Sequence, residues 1–213
     1  MSDRKTLARP DRAGQTSPDA PSDPSGHRRR LLQGMARAIA QRGYADTTLA
    51  DIVREANVSR RTFYEHFKDK ADCLIALYEA SNRTALNVLR EAIDPAASWP
   101  VQVEMALAAY LRQLADNPVL TRSLFVDILN LGIAGQQARR RVFNELAEFI
   151  VQVARPASGR RRLLGRDEAL ALVGAINELV LERLENEASA VQAARRLEAL
   201  APLCAQLVQR LAD

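Results

Sequence analysis

Thr47-Thr48-Leu49-Ala50-Asp51-Ile52-Val53-Arg54-Glu55-Ala56-Asn57-Val58-Ser59-Arg60-Arg61-Thr62-Phe63-Tyr64-Glu65-His66-Phe67-Lys68-Asp69-Lys70 is the stretch whose reading decides the fold. Leu49, Ile52, Val53 and Ala56 recur at helical spacing and give a short helix one apolar face. Thr47 or Thr48 caps it, and Thr48 with Asp51 three residues on has the form of a capping box, with Asp in place of Glu. Asn57 tolerates the left-handed backbone that a tight turn needs. Val58 points inward and Ser59 caps a second short helix over Arg60–His66. Two short amphipathic helices joined by a tight turn make a helix-turn-helix.

The second helix is short and polar for a core element. Phe63 and Phe67, four residues apart, face inward, which leaves Arg60, Arg61, Thr62, Tyr64 and Lys68 to face outward. Such a face suits the major groove of duplex DNA: Arg reaches guanine O6 and N7 with two hydrogen bonds, and Thr meets a thymine methyl. Thr48, Ser59, Tyr64, His66 and Lys70 carry donors suited to phosphate oxygens, and helix N-termini add backbone donors. Arg60 and Arg61 have no evident partner within their own helix; His66 equally suits a helix-end cap. Residues 27–70 hold ten Lys and Arg against five Asp and Glu, whereas residues 71–213 hold sixteen against seventeen. The positive excess is therefore confined to one small segment, the electrostatic footprint of a nucleic-acid module. A solvated basic surface would give the same count, so charge alone does not decide.

Outward from this stretch, Leu31, Leu32, Met35, Ala36, Ile39 and Ala40 predict a first helix over Gly26–Gln41 that stops at Gly43. Residues 1–25 carry Pro10, Pro18, Pro21 and Pro24 among small polar residues, and read as a disordered tail. A long fourth helix starts near Asp69 and carries Cys73, Leu74, Leu77, Tyr78, Leu86 and Leu89. Asp94, Pro95 and Trp99-Pro100 mark the next break. Further helices are predicted over 101–116, 118–130, 135–154, 167–187 and 190–211, with Pro202 kinking or breaking the last. Runs of strand-forming residues are missing. The fold class is all-α: a three-helix head over 26–70 and a larger helical bundle over 71–213, about nine helices in all.

The chain resembles the TetR family of bacterial transcription regulators. The resemblance rests on the Arg-rich first helix ending in Gly43-Tyr44, on Thr47-Thr48-Leu49-Ala50-Asp51-Ile52 and Ala56-Asn57-Val58-Ser59, and on Thr62-Phe63-Tyr64-Glu65-His66-Phe67 with Lys70 and Leu74. It covers residues 27–78; Asn57 stands where the family commonly has Gly. It implies phosphate contacts from Thr48, Tyr64, His66 and Lys70 and base contacts from Arg60, Arg61 and Thr62. It also implies a homodimer paired through the last two helices, and a small-molecule effector.

In the C-terminal half, Leu172, Val173, Ile176, Leu179, Val180 and Leu184 form a broad apolar face, and Leu197, Leu200 and Leu207 continue one on the last segment. Leu172, Val173, Ile176, Val180, Leu184, Leu197, Leu200 and Leu207 are the expected dimer interface, although part of each face must also serve the core. Trp99, Met105, Tyr110, Phe125, Phe143, Phe149 and Asn177 are the expected lining of an effector pocket. The Arg139–Arg141 and Arg160–Arg162 runs read as solvated surface. Cys73 and Cys204 lack metal-ligand or redox spacing. His27 and His66 both lie in the basic segment, and no Gly-rich phosphate loop, nucleophile elbow or metal cluster occurs, which speaks against an enzyme, a cofactor or a metal. No secretory signal and no apolar run of membrane-spanning length is read, so the expectation is a cytoplasmic, double-stranded-DNA-binding regulator. It acts as a repressor released from a palindrome by a ligand, or else as a ligand-independent regulator controlled by abundance or a protein partner.

Overall fold

The computed structural model describes residues 24–154, 164–185 and 189–212. The expected disordered tail over 1–25 lies almost wholly outside the described residues, as do Arg160–Arg162. Among the described residues there are ten α-helical segments and no strand. The head is built from α1 (Pro24–Arg42), α2 (Leu49–Ala56) and α3 (Arg60–His66). Thr48 caps α2 and forms a reciprocal box with Asp51, and Asn57 closes it in the left-handed region at φ 51° and ψ 53°. Gly43, at φ 78°, ends α1 in a conformation that costs a residue with a Cβ. Ser59 caps α3 through a hydrogen bond from the Thr62 amide.

Leu31, Met35 and Ile39 of α1, Ile52 of α2 and Phe63 of α3 are all fully buried and fill one core. That core runs on into Cys73 and Leu74 of α4 (Lys70–Glu91), so the head is welded to the bundle through the start of one long helix. Asp69 caps α4, accepting from the Asp72 amide at 2.8 Å. Gly34 lies where α1 crosses α2, so close that a Cβ would lie 2.8 Å from the Ile52 carbonyl oxygen.

The bundle continues with α5 (Trp99–Ala115), α6 (Pro118–Arg122), a π-helical turn (Ser123–Asp127), a 3-10 turn (Leu129–Leu131) and α7 (Gly132–Val153). The single helix expected over 118–130 is thus three short pieces. Gly132 turns the corner at φ 63°, ψ −142°, and Gly135 packs so tightly on the Ile128 carbonyl that a Cβ has no room. Residues 118–153 hold an 18-residue window of mean hydropathy 1.2, which reaches the length and composition of a membrane span, contrary to the expectation. One such stretch is weak grounds for a span, and the π and 3-10 turns interrupt it as a helix.

The chain ends with α8 (Arg166–Glu185), α9 (Ala190–Glu198) and α10 (Ala201–Ala212). The break expected at Pro202 lies just before it, at Ala199–Leu200. Pro202 occupies the first turn of α10, where its missing N–H leaves no bond unmade. Helix α10 runs antiparallel against α5, with Gln209 Nε2 donating to the Pro100 carbonyl at 3.2 Å.

The residues expected at the interface serve the core of their own chain. Leu172, Val173, Ile176, Val180, Leu184, Leu197 and Leu200 are buried within one chain, and the half-buried Leu207 packs against the same core. The apolar stripe of α8 packs against α7 of its own bundle. The opposite side of α8 carries Ala171, Ala175 and Glu178 exposed, and a Cβ on Gly174 would meet nothing within 4 Å.

Candidate nucleic-acid interface and inner cavity

The outer face of α3 follows from the burial of Phe63 and Phe67. The two buried phenylalanines anchor the helix, which packs against α1 and α2, and leave Arg60, Arg61 and Tyr64 exposed with Thr62 half-buried. Arg60 is exposed and makes no hydrogen bond or ion pair among the described residues. Arg61 is not free, contrary to expectation: its Nε lies 3.1 Å from Glu65 Oε1, with the side chain 90% exposed. Such a solvated pair contributes about 0–1 kcal/mol, so a guanine or phosphate can displace it. Tyr64 is exposed, its ring edge resting on Phe63. The hydroxyls of Ser59 and Thr62 are 2.9 Å apart and bonded to each other, with the Ser59 oxygen also accepting the Thr62 amide at 3.0 Å. Ser59, Arg60, Arg61, Thr62 and Tyr64 therefore form one contiguous surface on one helix.

The other expected contacts are differently engaged. The Thr48 hydroxyl donates to Asp51 Oδ2 at 2.6 Å, so its proton is committed to the cap. Asp51 Oδ1 takes Arg42 at 3.1 Å and Arg54 at 2.8 Å. The Thr48 hydrogen bonds, then the two guanidiniums, hold the Asp51 carboxyl well below the usual carboxylate range despite partial burial. Arg42 and Arg54 were not among the expected site residues; the acid at 51 with an Arg three residues on was the available signal.

Lys70 donates from Nζ to the Tyr44 carbonyl at 3.0 Å and the Thr47 carbonyl at 2.9 Å, and lies 4.2 Å from the Tyr44 ring centroid. Burial lowers its pKa, opposed by Asp127 and Asp46. Two of its three donors thus clip the start of α4 to the α1–α2 turn. His66, half-buried at the end of α3, stands edge-on to His27 with ring centroids 6.2 Å apart.

The second feature is a partly open cavity of about 210 Å³ bounded mainly by α4, α5, α7 and α8. Trp99, Tyr110, Phe125, Phe143, Phe149 and Asn177 all line it. Met105 does not: it is 47% exposed on the outside of α5. It lies two residues from the lining residue Val103 and so about 200° around the helix from it. Tyr78, Asn82 and Gln113 also line the cavity, and periodicity could not single them out from ordinary core positions. Burial pushes the Tyr78 phenol up to about 12 and the Tyr110 phenol higher still, so both remain neutral donors at physiological pH.

Residues 31–77 match the family model for bacterial regulatory proteins of the tetR family. The matched residues take in α2, α3 and the turn between them, so the likeness to that family lies in the helix-turn-helix head. An uncharacterised HTH-type transcriptional regulator of Bacillus subtilis, YxbF, is 32% identical over 77 residues; the match covers 36% of this chain and 20% of that protein. This chain thus spans about a fifth of that relative's length. The fold of the whole chain is shared with the fatty acid degradation regulator FadR of Bacillus halodurans, at TM-score 0.64 and 18% identity over 90% of this chain and 96% of that one. It is shared also with a FadR of Bacillus subtilis in complex with stearoyl-CoA, at TM-score 0.59 and 18% identity over 84% and 96%. Outside the matched residues, likeness at this identity is one of fold.

Proposed function

We propose that the protein is a transcriptional repressor that binds a palindromic operator as a homodimer and is released when a small molecule fills the cavity. The observation that carries this reading is the face of α3. Arg60, Arg61 and Tyr64 project into solvent, with the half-buried Thr62 beside them, from a helix pinned behind by two buried phenylalanines. In this reading the side chains touch base edges, while the Ser59 end of the helix and the third proton of Lys70 touch phosphates.

One such helix reads too few base pairs for a specific site, and pairing two of them about 34–36 Å apart reads two half-sites one DNA turn apart. The outward stripe of α8, with its small residues at 171, 174 and 175, is the face on which a second copy packs closely, joined by the exposed side of α10 at Leu203 and Gln206. The cavity supports the effector part of the reading, as does the stearoyl-CoA bound by the Bacillus subtilis neighbour of the same fold. Release requires that the ligand favour a conformation whose recognition helices no longer fit the two half-sites, since equal affinity for both conformations shifts nothing.

Selection of bound duplexes from a random library tests the reading. A recovered palindrome is the expected result, and binding without sequence preference would overturn it. On the selected duplex, Arg60→Ala should cost about 1–3 kcal/mol and relax preference at one position per half-site. An unchanged footprint and affinity would remove Arg60 from the interface.

A further inference from the structure

The chemistry of the cavity lining restricts what can occupy it. Among the described residues, none of the side chains that line it is Asp, Glu, Lys, Arg or His. The walls are Leu107, Val142, Phe143, Leu146 and Ile176 with their apolar neighbours. The charges nearest the cavity stand behind its lining, Arg139 over the Phe143 ring and Glu145 on Asn82, so an ionised guest would give up hydration without a direct ion pair, and a carboxylate or an ammonium is disfavoured. Four of the polar side chains in the lining are committed to the protein itself. Asn82 Nδ2 donates to Glu145 at 2.6 Å, Gln102 Nε2 to the Ala97 carbonyl at 2.8 Å, and the Thr121 hydroxyl to the Leu114 carbonyl at 2.8 Å. Asn117 Oδ1 accepts the Leu120 amide at 3.0 Å. Gln113 differs: its Oε1 is buried and accepts no hydrogen bond. A buried bare acceptor is costly, and a guest that supplies a donor removes that cost. Size gives the third restriction. A cavity of about 150 Å³ accepts benzene, and this one, at about 210 Å³, has room for a few more atoms.

We propose that the cavity takes a neutral, mainly apolar molecule somewhat larger than benzene that carries a hydroxyl or N–H donor, with that donor on Gln113 Oε1. The inference rests on the effector reading and specifies its ligand class.

The test uses the full chain and four probes of matched shape: 4-propylphenol, propylbenzene, 4-propylbenzoate and protonated 4-propylbenzylamine. Binding is read by calorimetry and by the fluorescence of Trp99, the single tryptophan, which lines the cavity. The phenol should bind tightest, propylbenzene about five- to tenfold more weakly for want of the donor, and both ions more than about a hundredfold more weakly. Gln113→Leu should erase the lead of the phenol while still binding propylbenzene, which shows that the cavity is intact. Gln113→Glu, of nearly the same size, should admit the ammonium probe. A benzoate or ammonium that matches the phenol on the wild-type chain overturns the ligand class and leaves the effector reading standing. Equal affinity of phenol and propylbenzene overturns the role of Gln113. Failure of all four to bind overturns the effector reading as well. Binding of the phenol with no effect on the selected duplex overturns only release.

Discussion

Gly34→Ala should destabilise the protein, although helix propensity alone says the opposite. Gly34 lies inside α1, where Ala is preferred over Gly by about 1 kcal/mol. The crossing with α2 reverses the sign. An added Cβ would lie 2.7 Å from the Ala56 amide nitrogen, 2.8 Å from the Ala56 Cβ and 2.8 Å from the Ile52 carbonyl oxygen. Two of these atoms are backbone and the third is fixed to it, so no rotamer change relieves the clash. Ordinary contact near 3.5 Å requires the helices to part by about 0.7 Å. That loosens Leu31, Met35, Ile39 and Ile52, all fully buried at the same crossing. Overpacking of this kind costs about 2–3 kcal/mol. After the propensity gain of about 1 kcal/mol, a net loss of about 1–2 kcal/mol remains. For a chain of this size that lowers Tm by about 2–8 °C. Thermal unfolding of the full chain, followed by circular dichroism, measures it. A Tm equal to or above that of the wild type would refute the close crossing as the reason for glycine at 34.

Lys70→Met keeps the aliphatic stem but leaves the Tyr44 and Thr47 carbonyls without their donor. It should cost about 1–2 kcal/mol of stability in urea unfolding as well as weakening DNA binding at every sequence; a change in DNA affinity and salt slope with stability intact would make Lys70 a phosphate contact alone. The Asp51 carboxyl binds a proton more weakly in the folded head than in the unfolded chain, so its stabilising contribution is complete above the ordinary carboxylate range and fades as pH falls below about 4. Asp51→Asn should therefore flatten the acid side of the Tm profile between about pH 6 and pH 2, and an acid limb identical to that of the wild type would exclude Asp51 as its source. Gly174→Arg should leave the melting of the protomer unchanged and yield monomers in sedimentation equilibrium. A persistent dimer would move the pairing surface away from the outer stripe of α8.

Local chemistry made the head legible in its residues alone. The Thr48–Asp51 box, the left-handed Asn57, the Ser59 cap and the Phe63–Phe67 spacing each bind a residue to its neighbours within a few positions. No distant partner is needed to read them, and α3 runs from Arg60 to His66 as expected. The all-helical class was legible for the same reason, since amphipathic period and breakers act within a turn or two. Long-range packing decided the rest. Periodicity marked Leu172, Ile176 and Val180 as an apolar face, but only the placement of α8 on α7 showed that the face turns inward and leaves the stripe around Gly174 outside. Lys70 and Tyr44 are 26 positions apart, and no rule of spacing could reveal that the ammonium closes the α1–α2 turn. The cavity likewise depends on where several helices stop short of one another. A sequence shows which side chains are apolar, but whether the space between them is filled is settled by the geometry of the whole bundle.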